Sequence, residues 1–158
     1  MKNTQVKTLQ ITAIVLQLIA LLIVILMTIG QDVVKDIMIS PPELKKYFVI
    51  PVGTVLRTIV LLVVYIIACV VIGTTKLVNT KVKTITMIAV ACVCQIVLHN
   101  SDFLINFIVS RMGASLLATY SVVDTAAERV ASFFMWPAFA LFCVSFGGYY
   151  GSEMNLDK

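Results

Sequence analysis

The chain has 158 residues, of which 60% are apolar and 13% are charged; its formal net charge is +4 and its mean hydropathy is +1.03. Soluble domains are on average about half apolar and about a quarter charged. The apolar residues also fall in runs of about 20, the length with which a helix crosses the hydrocarbon core of a bilayer. This excludes a soluble enzyme and a secreted disulfide scaffold, and we expect one membrane domain over 1–158 without a separate water-soluble part.

The first predicted transmembrane span is 8–29. It follows two lysines, Lys2 and Lys7, as the core of a secretory signal would. However, the apolar run is about twice as long as the core of a signal, and residues 28–31 do not offer the small residues that signal cleavage requires. We therefore expect this segment to be a retained transmembrane helix.

A surface-lying segment is predicted between the first two spans. In residues 31–38 the apolar side chains share one helical face and the charges share the other, as in helices that lie on a membrane surface. The apolar residues are Val33, Val34, Ile37 and Met38. Next, Ser40 as a cap, two prolines and Glu43 predict the start of a short interfacial helix that continues through Tyr47. The second span is predicted at 52–75.

The connection between the second and third spans carries three lysines and no acidic residue. These lysines are Lys76, Lys81 and Lys83. We expect them to contact anionic lipid headgroups on the cytoplasmic face, with an acidic partner protein as the alternative.

The sidedness prediction depends on this lysine cluster. Six lysines and arginines fall on each side of the membrane, so their number alone sets no orientation. The density of the cluster, and the six carboxylates on the opposite side, favour cytoplasmic N- and C-termini. The short connections favour a multi-pass protein of a bacterial-type cytoplasmic membrane.

The third predicted span, 84–110, carries a polar stripe. Five residues at spacings of 3, 4, 3 and 4 share one helical face, which we expect to face the interior of the helix bundle or a second subunit. They are Cys92, Gln95, His99, Asp102 and Asn106. Helix rise places Arg57 at the depth of His99 and Asp102, whereas Gln17 and Gln95 both come near the middle of the membrane.

Two interpretations of these intramembrane polar residues remain open. In the first, Arg57 and Asp102 form a buried ion pair, and His99 and Gln95 hydrogen-bond neighbouring helices together. In the second, the same residues line a polar cavity that takes a proton, an ion or a small polar ligand. A lone histidine argues against a metal site, no catalytic arrangement is visible, and we expect no cofactor.

A long helix is predicted over 115–150. An apolar seam at spacings of 4, 3, 4, 3 and 4 runs without a break into the fourth span, 132–150. The seam residues are Leu116, Tyr120, Val123, Ala127, Val130 and Phe134. Pro137 is the expected bend. Gly147 and Gly151 form a G-x-x-x-G pattern, for which two interpretations remain open: close packing with another helix, or a frayed helix end.

Together these features predict an all-α integral membrane protein with four transmembrane helices in an antiparallel bundle. Short amphipathic helices are expected on the outer side before span two and before span four. The favoured function is non-enzymatic: homo-oligomerisation, or service as an accessory subunit of a larger membrane complex. The alternative is a small channel, transporter or ligand-binding protein that uses the polar stripe with Arg57, and nucleic-acid binding is not expected.

Overall fold

The structure is a computed structural model that describes residues 3–74, 80–99 and 102–156, with side chains over 4–72, 81–97 and 105–151. The described backbone is helical and contains no strand. Its helices are α1 (Asn3–Ile29), α2 (Gln31–Met38), a 3₁₀ helix (Pro42–Lys46), α3 (Val52–Thr74), α4 (Thr80–His99), α5 (Asp102–Ser110) and α6 (Ala114–Leu156).

Three helices are long and apolar enough to cross a membrane. Within the described residues these spans are Thr4–Ile29, Val52–Ile72 and Ala114–Gly151. The all-helical, membrane-type character predicted from the composition is therefore confirmed. The predicted third span corresponds to α4 and α5, which lie on either side of residues 100 and 101, outside the described part of the chain.

Two glycines mark breaks between helices. At Gly30, between α1 and α2, an added Cβ would lie 3.3 Å from the carbonyl oxygen of Leu26, so a larger residue would crowd the turn. Gly113, between α5 and α6, has a φ of 130°, a conformation open mainly to glycine. Gly113 thus lies in the short turn between the end of α5 at Ser110 and the start of α6 at Ala114.

The helix α6 is continuous over 43 residues, about 64 Å at 1.5 Å per residue. The unbroken run predicted over 115–150 is confirmed, but the expectation of a separate short helix before span four is wrong. Residues 114–131 contain neither glycine nor proline, so nothing in their backbone ends the helix there. Pro137 lies inside α6. Of the seam residues, Tyr120, Val123 and Ala127 are buried, whereas Val130 is 40% exposed.

The core lies where α6 packs along α1 and α3. The contact of α6 with α1 is more extensive than its contact with any other described helix. Small residues on both helices, such as Ala20 of α1 and Ala138 of α6, are fully buried, which favours a close approach of the backbones. Farther along, the Tyr65 ring of α3 stacks on the Phe142 ring of α6 with their centroids 4.4 Å apart. This stacking fixes the register between α3 and α6.

The segment before α3 is helical, as predicted, with one correction. The interfacial helix is the 3₁₀ helix Pro42–Lys46, and its cap position is Pro41 without a side-chain cap bond, so the predicted capping role of Ser40 is wrong. The Ser40–Pro41 peptide bond is cis. In α2 the exposed apolar residues include Val33 and Ile37, as expected of a surface helix.

Candidate functional site

The N-terminus of α3 is held by a carboxylate from α6. The backbone N–H of Thr54 donates a hydrogen bond to Oδ1 of Asp124 at 3.0 Å, and the Thr54 hydroxyl donates to the Asp124 carbonyl oxygen at 3.2 Å. The first N–H groups of a helix have no partner within the helix, and they favour a negative charge nearby. Both residues are buried. Asp124 therefore supplies from α6 the cap that the sequence before Thr54 lacks.

One turn farther along both helices, Arg57 pairs with Glu128. Nη1 of Arg57 donates to Oε1 of Glu128 at 2.5 Å, and the two side chains are 3% and 22% exposed. We call Thr54, Arg57, Asp124 and Glu128 the α3–α6 clasp. A buried charge at membrane depth is tolerated when it is paired and hydrogen-bonded, and the clasp meets that condition for Arg57.

Sequence reasoning missed both acidic members of the clasp. It placed Arg57 at a depth that requires an acidic partner but assigned Asp102 to that role. The side chains of His99 and Asp102 lie outside the described residues, so the Arg57–Asp102 pair stays a prediction. The usable signal was the spacing of four between Asp124 and Glu128, which puts both carboxylates on one face of α6.

The predicted central amide residues have different environments. The side-chain amide of Gln17, fully buried on α1, donates to the carbonyl oxygen of Thr58 on α3 at 3.1 Å. Gln95 of α4 is 7% exposed. Asn106 of α5 is half-buried. Within the described part of the chain, the amide oxygens of these three residues accept no hydrogen bond.

The face of α4 that carries Gln95 is turned inward. Cys92 is half-buried and lies close to Cys143 of α6. By contrast, the residues Ala89, Val93 and Val97 on the opposite face are exposed. The buried Tyr65 hydroxyl has no hydrogen-bond partner among the described residues.

The predicted cytoplasmic lysines also differ from one another. Lys81 is exposed, with its ammonium group 5.8 Å from the centroid of the Tyr150 ring, a cation–π distance. Lys83 is 8% exposed, and Lys76 lies outside the described residues. Of Lys81 and Lys83, only Lys81 is exposed, as a lysine that contacts lipid headgroups would be.

Gly147 and Gly151 do not pack closely against the rest of the described chain. A Cβ built at either position meets no atom within 4 Å. The G-x-x-x-G pattern on α6 therefore makes no close helix contact within the described structure, and the space beside it is open.

The described residues contain no group of three or more histidine, cysteine or acidic side chains that could hold a metal ion. Comparisons with protein families, with curated proteins and with solved structures find no match to this chain.

Proposed function

We propose that this protein is a non-enzymatic, multi-pass membrane protein that works by assembly, either with copies of itself or as an accessory subunit of a larger membrane complex. The α3–α6 clasp carries the non-enzymatic part of the proposal, and the open G-x-x-x-G surface of α6 supports the assembly part. The clasp places the charged groups of Arg57 and Glu128 against each other, in a role that holds two helices together. Charged groups used in this way support an architectural role rather than a chemical one.

The same proposal includes four spans in an antiparallel bundle. From the Arg57–Glu128 contact to the Tyr65–Phe142 contact, the residue numbers rise along both α3 and α6, so these two helices run in the same direction. From the Lys81–Tyr150 contact to the Cys92–Cys143 contact, the residue numbers rise along α4 but fall along α6, so these two helices run in opposite directions. This order supports α4 and α5 as the third span, which returns the chain across the membrane between α3 and α6.

We further propose a bacterial-type cytoplasmic membrane with both termini on the cytoplasmic side. The lysine-only connection of residues 76–83 supports this orientation, since Lys and Arg near the ends of spans favour the cytoplasmic face. On this orientation the exposed Lys81 faces anionic lipid headgroups.

The open G-x-x-x-G surface gives the assembly proposal a direct test. Replacing both Gly147 and Gly151 with leucine is expected to weaken self-association on the order of tenfold, because the added side chains keep a second helix from approaching. Self-association is measured by energy transfer between labelled copies of the protein in lipid vesicles. The ratio of lipid to protein is raised stepwise, and the two proteins are compared by the dilution at which the transfer is lost.

The control is Val63→Leu, which adds bulk to an exposed position of α3 that the glycine surface does not include. We expect this variant to associate as the wild type does. A wild-type protein that is strictly monomeric in native membranes and carries no stoichiometric partner contradicts the proposal.

A second candidate, a small channel or transporter, is favoured by one specific observation. Buried polar atoms without a hydrogen-bond partner within the described structure occur on three helices: Oε1 of Gln17, the hydroxyl of Tyr65 and Oε1 of Gln95. Buried polar atoms of this kind are commonly satisfied by water. A pH-dependent flux in proteoliposomes that Gln95→Leu, Asp102→Asn or His99→Ala abolishes, while the protein stays folded, would favour this candidate over assembly.

A further inference from the structure

A groove lies on the outer-side end of α6, where α2 approaches it. Its volume is about 290 Å³, close to the ~300 Å³ lower end of small-ligand sites and suited to a headgroup rather than a whole lipid. It is lined by Met38 of α2 and by Ser121, Val122, Thr125, Ala126 and Arg129 of α6. The lining thus combines one guanidinium and two hydroxyls with apolar side chains.

Among the described residues that line this groove, Arg129 is the only charged one. It is exposed and makes no hydrogen bond or ion pair within the described part of the chain. The preceding residue, Glu128, pairs with Arg57, which lies about 8 Å along α3 from its first residue. Side chains of a helix lean toward its N-terminus, so Arg129 points from that depth toward the headgroup layer.

The exposed surface of α6 becomes apolar beyond this groove, toward the C-terminus of the helix. Phe133, one turn past Arg129, is 79% exposed, and Trp136 is 53% exposed. With Arg129 they follow spacings of 4 and 3, which keep all three on one side of the helix. Along α6, the hydroxyls of the groove come first, the guanidinium of Arg129 follows, and the apolar rings of Phe133 and Trp136 come last. This is also the order of headgroup, phosphate and acyl chain in a phospholipid.

A second cation lies next to the groove. Lys35, one turn before Met38 on α2, is only 2% exposed and makes no ion pair or hydrogen bond through its ammonium group within the described residues. Burial lowers the pKa of Lys35, and Asp32 opposes that shift. Lys35 therefore adds a second positive charge on the α2 side of the groove, so the groove and its surroundings are complementary to a negative headgroup.

We propose that this groove binds an anionic phospholipid of the outer leaflet, with Arg129 on the phosphate and the acyl chains along Phe133 and Trp136. Arginine suits this role because its planar guanidinium can donate two hydrogen bonds to one phosphate. The proposal requires α6 to cross the membrane with its first part on the outer side. It does not require self-association, so it is tested independently of the assembly proposal.

The test is native mass spectrometry of the protein in mild detergent with an equimolar mixture of phosphatidylglycerol and phosphatidylcholine. The wild type is expected to retain one phosphatidylglycerol per chain in preference to phosphatidylcholine. Arg129→Gln is expected to weaken that retention about fivefold, the factor that corresponds to ~1 kcal/mol per basic residue at an anionic surface. Arg129→Lys should lose less than Arg129→Gln, because it keeps the charge.

Two further variants keep the result decisive. Arg111→Gln removes another exposed arginine, one stacked on Phe107, and should leave retention unchanged. Val122→Phe fills the groove while it keeps Arg129, and it should weaken retention as Arg129→Gln does. Circular dichroism confirms that each variant is folded.

Three results overturn the proposal. The first is equal retention of phosphatidylglycerol by the wild type and a folded Arg129→Gln or Val122→Phe variant. The second is equal retention of the two lipids by the wild type. The third is complete displacement of the lipid by millimolar inorganic phosphate, which would show a simple anion site without a contribution from acyl chains.

Discussion

Replacing Glu128 with glutamine is expected to lower the free energy of unfolding by about 3 kcal/mol, the lower end of the range for breaking one partner of a buried ion pair. The reason is that the guanidinium of Arg57, 3% exposed, loses the charge that compensates it. Glu128 itself is 22% exposed, which favours the lower end of the range. Reversible unfolding in mixed detergent micelles measures the loss.

The matched control removes an exposed charge that forms no ion pair among the described residues. Arg111 is exposed, and its described contact is a cation–π interaction with the Phe107 ring, 4.9 Å from the ring centroid. Arg111→Gln is expected to change the free energy of unfolding by less than about 0.5 kcal/mol, as surface substitutions usually do. An equal effect of the two substitutions contradicts the clasp as a stabilising contact.

Replacing Phe142 with alanine is expected to cost about 3 to 5 kcal/mol, the range for removing a fully buried aromatic ring. Phe142 is fully buried between the Tyr65 and Phe146 rings, with centroid separations of 4.4 and 4.5 Å. Its loss leaves a cavity at the crossing of α3 and α6. Reversible unfolding in mixed detergent micelles measures the decrease in the free energy of unfolding.

Phe133→Ala is the control for this substitution, because it makes the same chemical change on the same helix. Phe133 is 79% exposed, so its ring is placed to contact lipid in either state and contributes little packing within the chain. We expect the loss at Phe133 to be under about 1 kcal/mol. Comparable losses at both positions would mean that the face of α6 that packs on α3 is incorrectly identified.

The helical, membrane-type fold could be predicted from the sequence because its signals are local. Long apolar runs set the helices, and Gly113, whose φ is 130°, lies in the turn between α5 and α6. The unbroken α6 follows from the lack of glycine or proline over 114–131. Each of these properties depends on the residues of one segment and needs no knowledge of its neighbours.

The partner of Arg57 could not be predicted in the same way. Helix rise gives the depth of a residue, but several acidic residues share that depth, and the rotation of each helix decides which of them faces Arg57. The seam on α6 gave only an approximate rotation, with Val130 40% exposed although it belongs to the seam. Glu128 and Asp124 turn toward α3 because the whole bundle packs that way.

The environment of α2 shows the same limit. Its sequence pattern predicts two faces, one apolar and one charged, as for a helix that touches only the membrane. The structure adds a third contact, because Gln31 accepts the backbone N–H of Val49 at 2.8 Å and Lys35 is buried beside it. An amphipathic pattern does not report which of its residues the rest of the protein covers.

We propose that the charged groups of the clasp hold helices together rather than perform chemistry. The most direct test is the double variant Arg57→Met, Glu128→Met, compared with Glu128→Gln for unfolding in micelles and for association in lipid vesicles. Replacing a buried ion pair with apolar residues of similar volume is often neutral. We therefore predict that the double variant regains most of the lost free energy of unfolding and associates as the wild type does. A double variant that folds with wild-type stability but no longer associates would contradict the claim.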